Sequence, residues 1–293
     1  MSKEIPNIDF IGKKNYALTF SGMLTIFSII LLIFKGLNFS IDFRGGTVIE
    51  FWTKHDDVEV IMKNIMSDEY TDFEIHKTKL YSEDSICCNY SLQIGVSGSE
   101  AVDKVAQIIK KSFPDTEFIK VDYIGPKVGA EFASDGAKAI IFSLLAMMIY
   151  IWLRFDLKFG FGIMLALLHD VLITLGFFSL SGFQFDLTSI AVVLTIVGYS
   201  INDSIVIYDR IRENLKVKIN RCEFKALINQ SINETLSRTM MTSFTTLVVC
   251  IALLIFGGEA LRGFSAGLSF GIAFGTYSSI YISAPVLIFC TKK

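Results

Sequence analysis

From Tyr16 to Phe34 the chain runs 19 residues without a charged side chain. As a helix that run rises about 28 Å, close to the roughly 30 Å hydrocarbon core of a bilayer. Five more apolar runs follow, at about 136–153, 159–181, 187–208, 239–257 and 263–290. They explain a composition that is 52% hydrophobic and only 19% charged, against about 25% charged in soluble domains. The expectation is a polytopic α-helical membrane protein with six transmembrane helices. Lys13 and Lys14 precede the first run, and no small-residue cleavage site follows a short apolar region, so it reads as a retained anchor.

Other classes fall away on the same numbers. Five cysteines in 293 residues make no disulfide framework, and a net charge of −2 argues against a nucleic-acid binder. Adjacent Cys87 and Cys88 read as two strand residues, because a disulfide between neighbours is strained. The three histidines, at 55, 76 and 169, lack ligand spacing, so no metal and no cofactor is expected.

Charge is unevenly placed. Residues 35–135 hold 18 acidic and 11 basic side chains, while the rest of the chain holds 11 acidic and 16 basic. The expected division is 1–15, a cytoplasmic N-terminus; 16–34, helix 1; 35–135, an external domain; and 136–293, a five-helix block with a cytoplasmic loop over 209–238. Lys and Arg set the sidedness. Lys3, Lys13, Lys14, Arg154, Lys158, Arg210, Arg212, Lys216, Lys218, Arg221, Lys225, Lys292 and Lys293 fall on one side. The short loops opposite offer only Arg262. Both termini are therefore expected in the cytoplasm.

The external domain reads as six elements. Arg44–Thr53, Phe73–Tyr81, Ile86–Gly95 and Glu117–Ile124 are strand-like. Asp56–Ser67 is helical, with Val58, Ile61, Met62 and Ile65 on one face. A second helix opens on a capping-box pattern at Ser97 and Glu100, with Val102, Val105, Ala106, Ile109 and Phe113 at helical spacing. Ser82-Glu83-Asp84-Ser85 reads as a turn. The βαββαβ order is the ferredoxin-like arrangement of an α+β domain. No nucleophile–base pair or phosphate loop appears in it.

Ionisable groups inside a bilayer cost about 2.5–3.5 kcal/mol at a helix centre, so the few present are candidate working sites. Asp203 is the lone charge between Leu187 and Tyr208. Tyr199, Ser200 and, seven residues on, Arg210 fall roughly on its helical face, and Asn202 adjoins it. Asp203 either exchanges protons or only fixes packing. Arg238 is its natural cationic partner, or an ordinary arginine at a helix end. His169 and Asp170 either relay protons or form a hydrogen-bonded knot between helices. Gly263, Gly267, Gly271 and Gly275 recur every four residues, a pattern for close helix packing, static or sliding. Phe224, Leu227, Ile228 and Ile232 give the 209–237 loop an amphipathic segment that lies on the leaflet, meets a partner or is a solvated connector.

Several stations together resemble a known family. Gly36-Leu37-Asn38-Phe39-Ser40-Ile41-Asp42-Phe43-Arg44-Gly45-Gly46-Thr47 is similar to the post-anchor signature of the SecF type of protein-export membrane proteins. Tyr123–Gly129, Tyr150–Phe155, His169-Asp170-Val171, Gly198–Asp203, Tyr208–Asn214 and Ser237-Arg238-Thr239 follow in the family's order. Ser40 and Arg44 depart from the more usual Gly and Thr. The resemblance implies the SecD/SecF family, within the resistance–nodulation–division superfamily. It implies no enzyme, but a subunit that pairs with SecD and assists the SecY-E-G channel complex, with a small membrane subunit such as YajC. Such a subunit draws preproteins across the bacterial inner membrane with the proton-motive force, among membrane lipids and without nucleic acid. By position, Asp203 is then the proton-responsive carboxylate and Arg238 its partner. Asp42, Gly45 and Gly46 fall at the junction of membrane and external domain, where glycine permits movement. A small-solute transporter half, an intramembrane enzyme on His169 and Asp170, and a scaffold for SecD are the rival readings.

Overall fold

The computed structural model describes residues 8–55, 57–66, 73–82, 85–95, 99–155, 157–217 and 224–290. Six helical segments within them are long and apolar enough to cross a membrane. They are α1 (Lys14–Phe34), α5 (Pro126–Arg154), α6 (Leu157–Ser181), α7 (Leu187–Val217), α8 (Phe224–Phe256) and the α9–α10 unit. In that last unit α9 is Gly258–Ser278 and α10 is Ala284–Cys290.

Helices α6, α7 and the α9–α10 unit form the buried centre, whereas α1, α5 and α8 turn most of their surface outward. An apolar surface gains nothing by leaving lipid, so contact falls to small residues. On α1 the only buried side chains are Ser21 and Ser28. Gly176 of α6 leaves the space that Ser28 enters.

Three helices are longer than expected. Pro126 opens α5 at a position where a missing N–H costs nothing, ten residues before the predicted start. Helices α7 and α8 have 31 and 33 residues, so each exceeds the roughly 30 Å core by several turns. The expected 209–238 loop is therefore largely two helix ends packed together. Tyr208, Ile211, Leu227, Ile228 and Ile232 are buried in one cluster with Phe10 and Ile11. The amphipathic face of 224–232 is thus covered by protein.

The last span is not one uniform α-helix. Between α9 and α10 a π-helical turn runs Ser279–Ser283, and the Ala284 N–H reaches back to Ser279 O. Pro285 follows directly, with no N–H to give and a ring that crowds the preceding turn. Tyr208 Oη on α7 donates to Ser283 O at 2.7 Å, holding the widened turn.

Between α1 and α5 lie α2 (Ile41–Arg44), β1 (Gly46–Thr53), α3 (Val58–Met66), β2 (Phe73–Ser82), β3 (Ser85–Ile94), α4 (Ser99–Ser112) and β4 (Glu117–Ile124). The sheet order is β2-β3-β1-β4, and each neighbouring pair is antiparallel. Ile49, Phe51, Tyr90, Leu92 and Ile94 meet Val58, Met62 and Met66 of α3 and Val105, Ile109 and Phe113 of α4. The buried stripe of α3 steps by four, so Ile61 and Ile65 are exposed, contrary to expectation. β4 is an edge strand; the register of β1 shifts against it between Glu50 and Phe51.

The predicted first strand begins too early. Arg44 belongs to α2, a single turn capped by Ser40 Oγ, which accepts the Asp42 N–H at 3.1 Å. The Ser97 cap and the Glu83–Asp84 turn lie outside the described residues. So do Lys3, Lys218, Arg221, Cys222, Lys292 and Lys293, and the side chains of Lys158, Cys87 and Cys88. Cys250 and Cys290 are free thiols.

Candidate functional site: the polar centre of the helix bundle

The N-terminus of α7 is fixed from two directions. Asp186 Oδ1 accepts the Ser189 N–H at 2.7 Å, an N-cap arrangement. Asp42 Oδ2 accepts the Leu187 N–H at 3.2 Å. The segment carrying Asp42 also runs beside the α6–α7 turn, with Phe185 N donating to Asn38 O and Ser40 N to Phe185 O, at 2.7 and 3.0 Å. Gly45 and Gly46 are needed for conformation and contact alike. Gly45 has φ 79°, and a Cβ there would lie 2.7 Å from Pro126 Cα. The predicted junction residues thus tie the sheet, α5 and α7 together.

Sixteen residues further on, about halfway along its length, α7 presents Asp203. Its side chain is 3% exposed, and Oδ2 has no hydrogen-bond partner among the described residues. Ser204 Oγ and Thr239 Oγ1 are buried and unpartnered as well. Burying such groups without partners costs several kcal/mol, a cost that structural packing alone does not require. Arg238 lies on α8, which packs against α7. It is exposed near the middle of α8 and not at a helix end, and no ion pair joins it to Asp203. The expected pairing is therefore not made as an ion pair in this structure.

The other predicted neighbours divide. Tyr199 is half-buried and turned to α8, its Oη donating to Thr246 Oγ1 at 3.5 Å. Asn202 is exposed, pointing away from the bundle. Arg210 does not serve Asp203: its Nε donates to Glu234 Oε2 at 2.5 Å and its Nη1 to Glu213 Oε2 at 2.8 Å.

His169 and Asp170 form a second polar cluster where α6, α7 and α9 meet. Both are buried. His169 Nδ1 lies 2.9 Å from Asp170 Oδ1. Ser200 Oγ of α7 and Ser278 Oγ of α9 donate to Asp170 Oδ2 at 2.5 and 2.7 Å. The sequence marks neither serine as Asp170's partner, because hydroxyls in apolar helices are common and carry no mark of their partner. Among the described residues no three His, Cys, Asp or Glu side chains gather as a metal site.

The four glycines of α9 make the seam on which these helices meet. A Cβ on Gly267 would lie 2.6 Å from Phe178 Cζ, and one on Gly275 would lie 3.2 Å from Ser200 Cβ. Gly271 faces Ile196, and Gly263 faces Phe183 at ordinary contact distance.

Known proteins share this arrangement. Residues 104–293 match the family model described as protein export membrane protein SecD/SecF, C-terminal, and residues 30–51 match the SecD/SecF GG motif. The protein translocase subunit SecF of Rickettsia rickettsii is 45% identical over 99% of this chain and 95% of its own length. That of Rickettsia prowazekii is 46% identical over 99% and 94%. The crystal structure of SecDF, a translocon-associated membrane protein from Thermus thermophilus, superposes with a TM-score of 0.85 at 33% identity. It covers 97% of this chain, which spans 38% of that longer one. A SecDF structure in a super-membrane-facing form gives a TM-score of 0.74 at 34% identity, covering 99% of this chain and 39% of its own.

Proposed function

Because this chain belongs to the SecD/SecF family of protein-export membrane proteins, we propose that it is the SecF-type half of a proton-driven accessory translocase. In this reading it pairs with SecD, which would supply the remaining length of the SecDF chain that this protein matches in part. The pair assists the SecY-E-G channel, with a small subunit such as YajC, in drawing preproteins across the bacterial inner membrane. Thirteen Lys and Arg against the single Arg262 support cytoplasmic termini and a periplasmic 35–135 unit. The antiparallel β2-β3-β1-β4 sheet with α3 and α4 supports reading that unit as ferredoxin-like.

One observation carries the coupling: Asp203 on α7 is a buried carboxylate with an unpartnered oxygen, and α8, packed against α7, carries Arg238, whose charge in this reading attracts it without an ion pair. A proton on Asp203 cancels that attraction and biases two helix arrangements of α7 and α8. Moving one charge across 100 mV supplies about 2.3 kcal/mol, enough to shift a two-state element of a few kcal/mol. The route outward runs along α7 to its N-terminus, where Asp42 connects it to the base of the sheet. Asp203→Asn tests this in vesicles containing the SecD and SecY components. Proton flux and driven export both fall while the complex still assembles; normal proton-driven export by the variant would overturn the reading.

A further inference from the structure

Asp170 Oδ2 receives two hydroxyls, and one of them has a second acceptor. Ser200 Oγ has Asp170 as its acceptor, at 2.5 Å. Ser278 Oγ lies 2.7 Å from Asp170 Oδ2 and 3.0 Å from Gly275 O. A serine carries one hydroxyl proton, so it can donate to only one of these at a time. The carboxyl and the two serines therefore keep their hydrogen bonds in two charge states, while His169 Nε2 is buried without a partner among the described residues in either. With Asp170 ionised, Ser200 and Ser278 both donate to Oδ2. With one proton added on Oδ2, the carboxyl O–H donates to Ser278 Oγ, Ser278 turns its own proton to Gly275 O, and Ser200 still donates to Oδ2. One proton enters, none leaves, and no buried group loses its partner.

The position of Ser278 gives that rotation a consequence. Gly275 O already accepts the Ser279 N–H, and Ser279 opens the π-helical turn that interrupts the last span. When Ser278 donates to it, that carbonyl uses both its lone pairs and holds two donors at the α-to-π junction. Ser200, for its part, precedes Asp203 by three residues on the same face of α7. We propose that Asp170 is a second proton-holding site, and that Ser278 is the positioning residue that registers its charge at the π-helical turn between α9 and α10. This rests on reading the chain as proton-coupled, and it adds a site on α6 that the Asp203 mechanism does not use.

The titratable groups around the cluster are few. On α6 it is His169, whose Nδ1 faces Oδ1. On α7 it is Asp203, since Tyr199 turns to Thr246 on α8 and Tyr208 to Ser283 O. On α9 Tyr277 turns to Ser21 and Ala17 O of α1. On α5 Lys138 is paired with Asp135. Arg238 of α8 is exposed, and Asp170 has no ion-pair partner but His169 among the described residues.

The test is infrared difference spectroscopy of the full chain with SecD in lipid vesicles, titrated with acid and base. With Asp203→Asn present to silence that site, a protonated-carboxyl band is expected to appear and disappear with pH, and to be lost in D203N/D170N. Ser278→Ala shifts the band, since the carboxyl loses its hydroxyl acceptor; Ser278→Thr leaves it at the D203N position. A band absent from D203N, or unmoved by S278A, overturns the proposal even if D203N abolishes export. If D203N exports normally but the band behaves as described, the coupling at Asp203 falls and the Asp170 site stands.

Discussion

Arg210 Nε donates to Glu234 Oε2 across the α7–α8 hairpin, and this contact turns the arginine away from Asp203. Glu234 is the better buried of the two, 9% exposed against 41%, and it also accepts from Asn214 Nδ2 at 3.0 Å and Gln230 Nε2 at 2.7 Å. Glu234→Ala removes all three acceptor contacts. The expected loss of stability is about 1–3 kcal/mol, between a surface pair and a fully buried one. Thermal unfolding in detergent measures it. A loss of proton flux larger than the loss of folded protein would instead connect Glu234 to coupling.

The chain before α1 is strapped to α8 by two asparagines one turn apart. Asn229 Oδ1 accepts from Phe10 N and Ile11 N at 2.8 and 3.2 Å, and Asn233 Oδ1 accepts from Ile8 N at 2.9 Å. Both amide groups donate to Ile8 O at 2.9 Å. Asn229→Ala leaves the Phe10 and Ile11 amides without their acceptor. At about 1 kcal/mol per lost bond, the hydrogen exchange of each is expected to quicken about fivefold. The Ile8 amide, held by Asn233, changes less. Equal acceleration at all three would mean that the strap is released as a unit.

These two contacts show where the sequence stops being informative. A lone charge in an apolar helix is conspicuous, so Asp203 and Asp170 could be picked out, as could the four-residue glycine spacing of α9. The helical pattern of Phe224, Leu227, Ile228 and Ile232 was visible too, but a pattern names a face and not what covers it. Here α7 and the strap cover it. Backbone donors such as Phe10 N leave no trace in a sequence, and Glu234 lies 24 residues from Arg210, beyond any local spacing rule. Ser278 is one hydroxyl among many until α6 is placed against α9.

The sheet unit has its own acid-sensitive fastener. Asp115 Oδ2 accepts the Lys54 N–H at 3.0 Å and Oδ1 accepts Thr53 Oγ1 at 3.1 Å, joining the end of β1 to the turn before β4. The Lys54 N–H chiefly, with the Thr53 hydroxyl, holds this carboxyl below its usual range. Its stabilising contribution is therefore full above the unfolded value, about 3.9, and is lost as pH falls through the lower folded value. Asp115→Ala should lower the melting temperature of the sheet unit at neutral pH, with the difference from wild type closing in acid. A difference that persists undiminished in acid would assign the effect to packing.

The glycine seam predicts a graded series along α9. At Gly267 an added Cβ meets the rigid ring of Phe178, with Val192 Cγ1 at 3.3 Å behind it. A ring cannot fold away as an aliphatic tip can, so α9 must move from α6, and over-packing of this kind costs about 1–3 kcal/mol. At Gly271 the obstacle is the end of Ile196, which has other rotamers available. At Gly263 the nearest atom is Phe183 Cβ at 3.8 Å, an ordinary contact. Alanine should therefore be most destabilising at 267, intermediate at 271 and nearly neutral at 263, read as melting temperatures in one detergent. A seam that must slide would give a different order in driven export than in melting, since α9 would then be penalised in a second arrangement. Matching orders in the two measurements would mean that α6, α7 and α9 move together, leaving the π-helical turn after Ser278 as the place where the last span flexes.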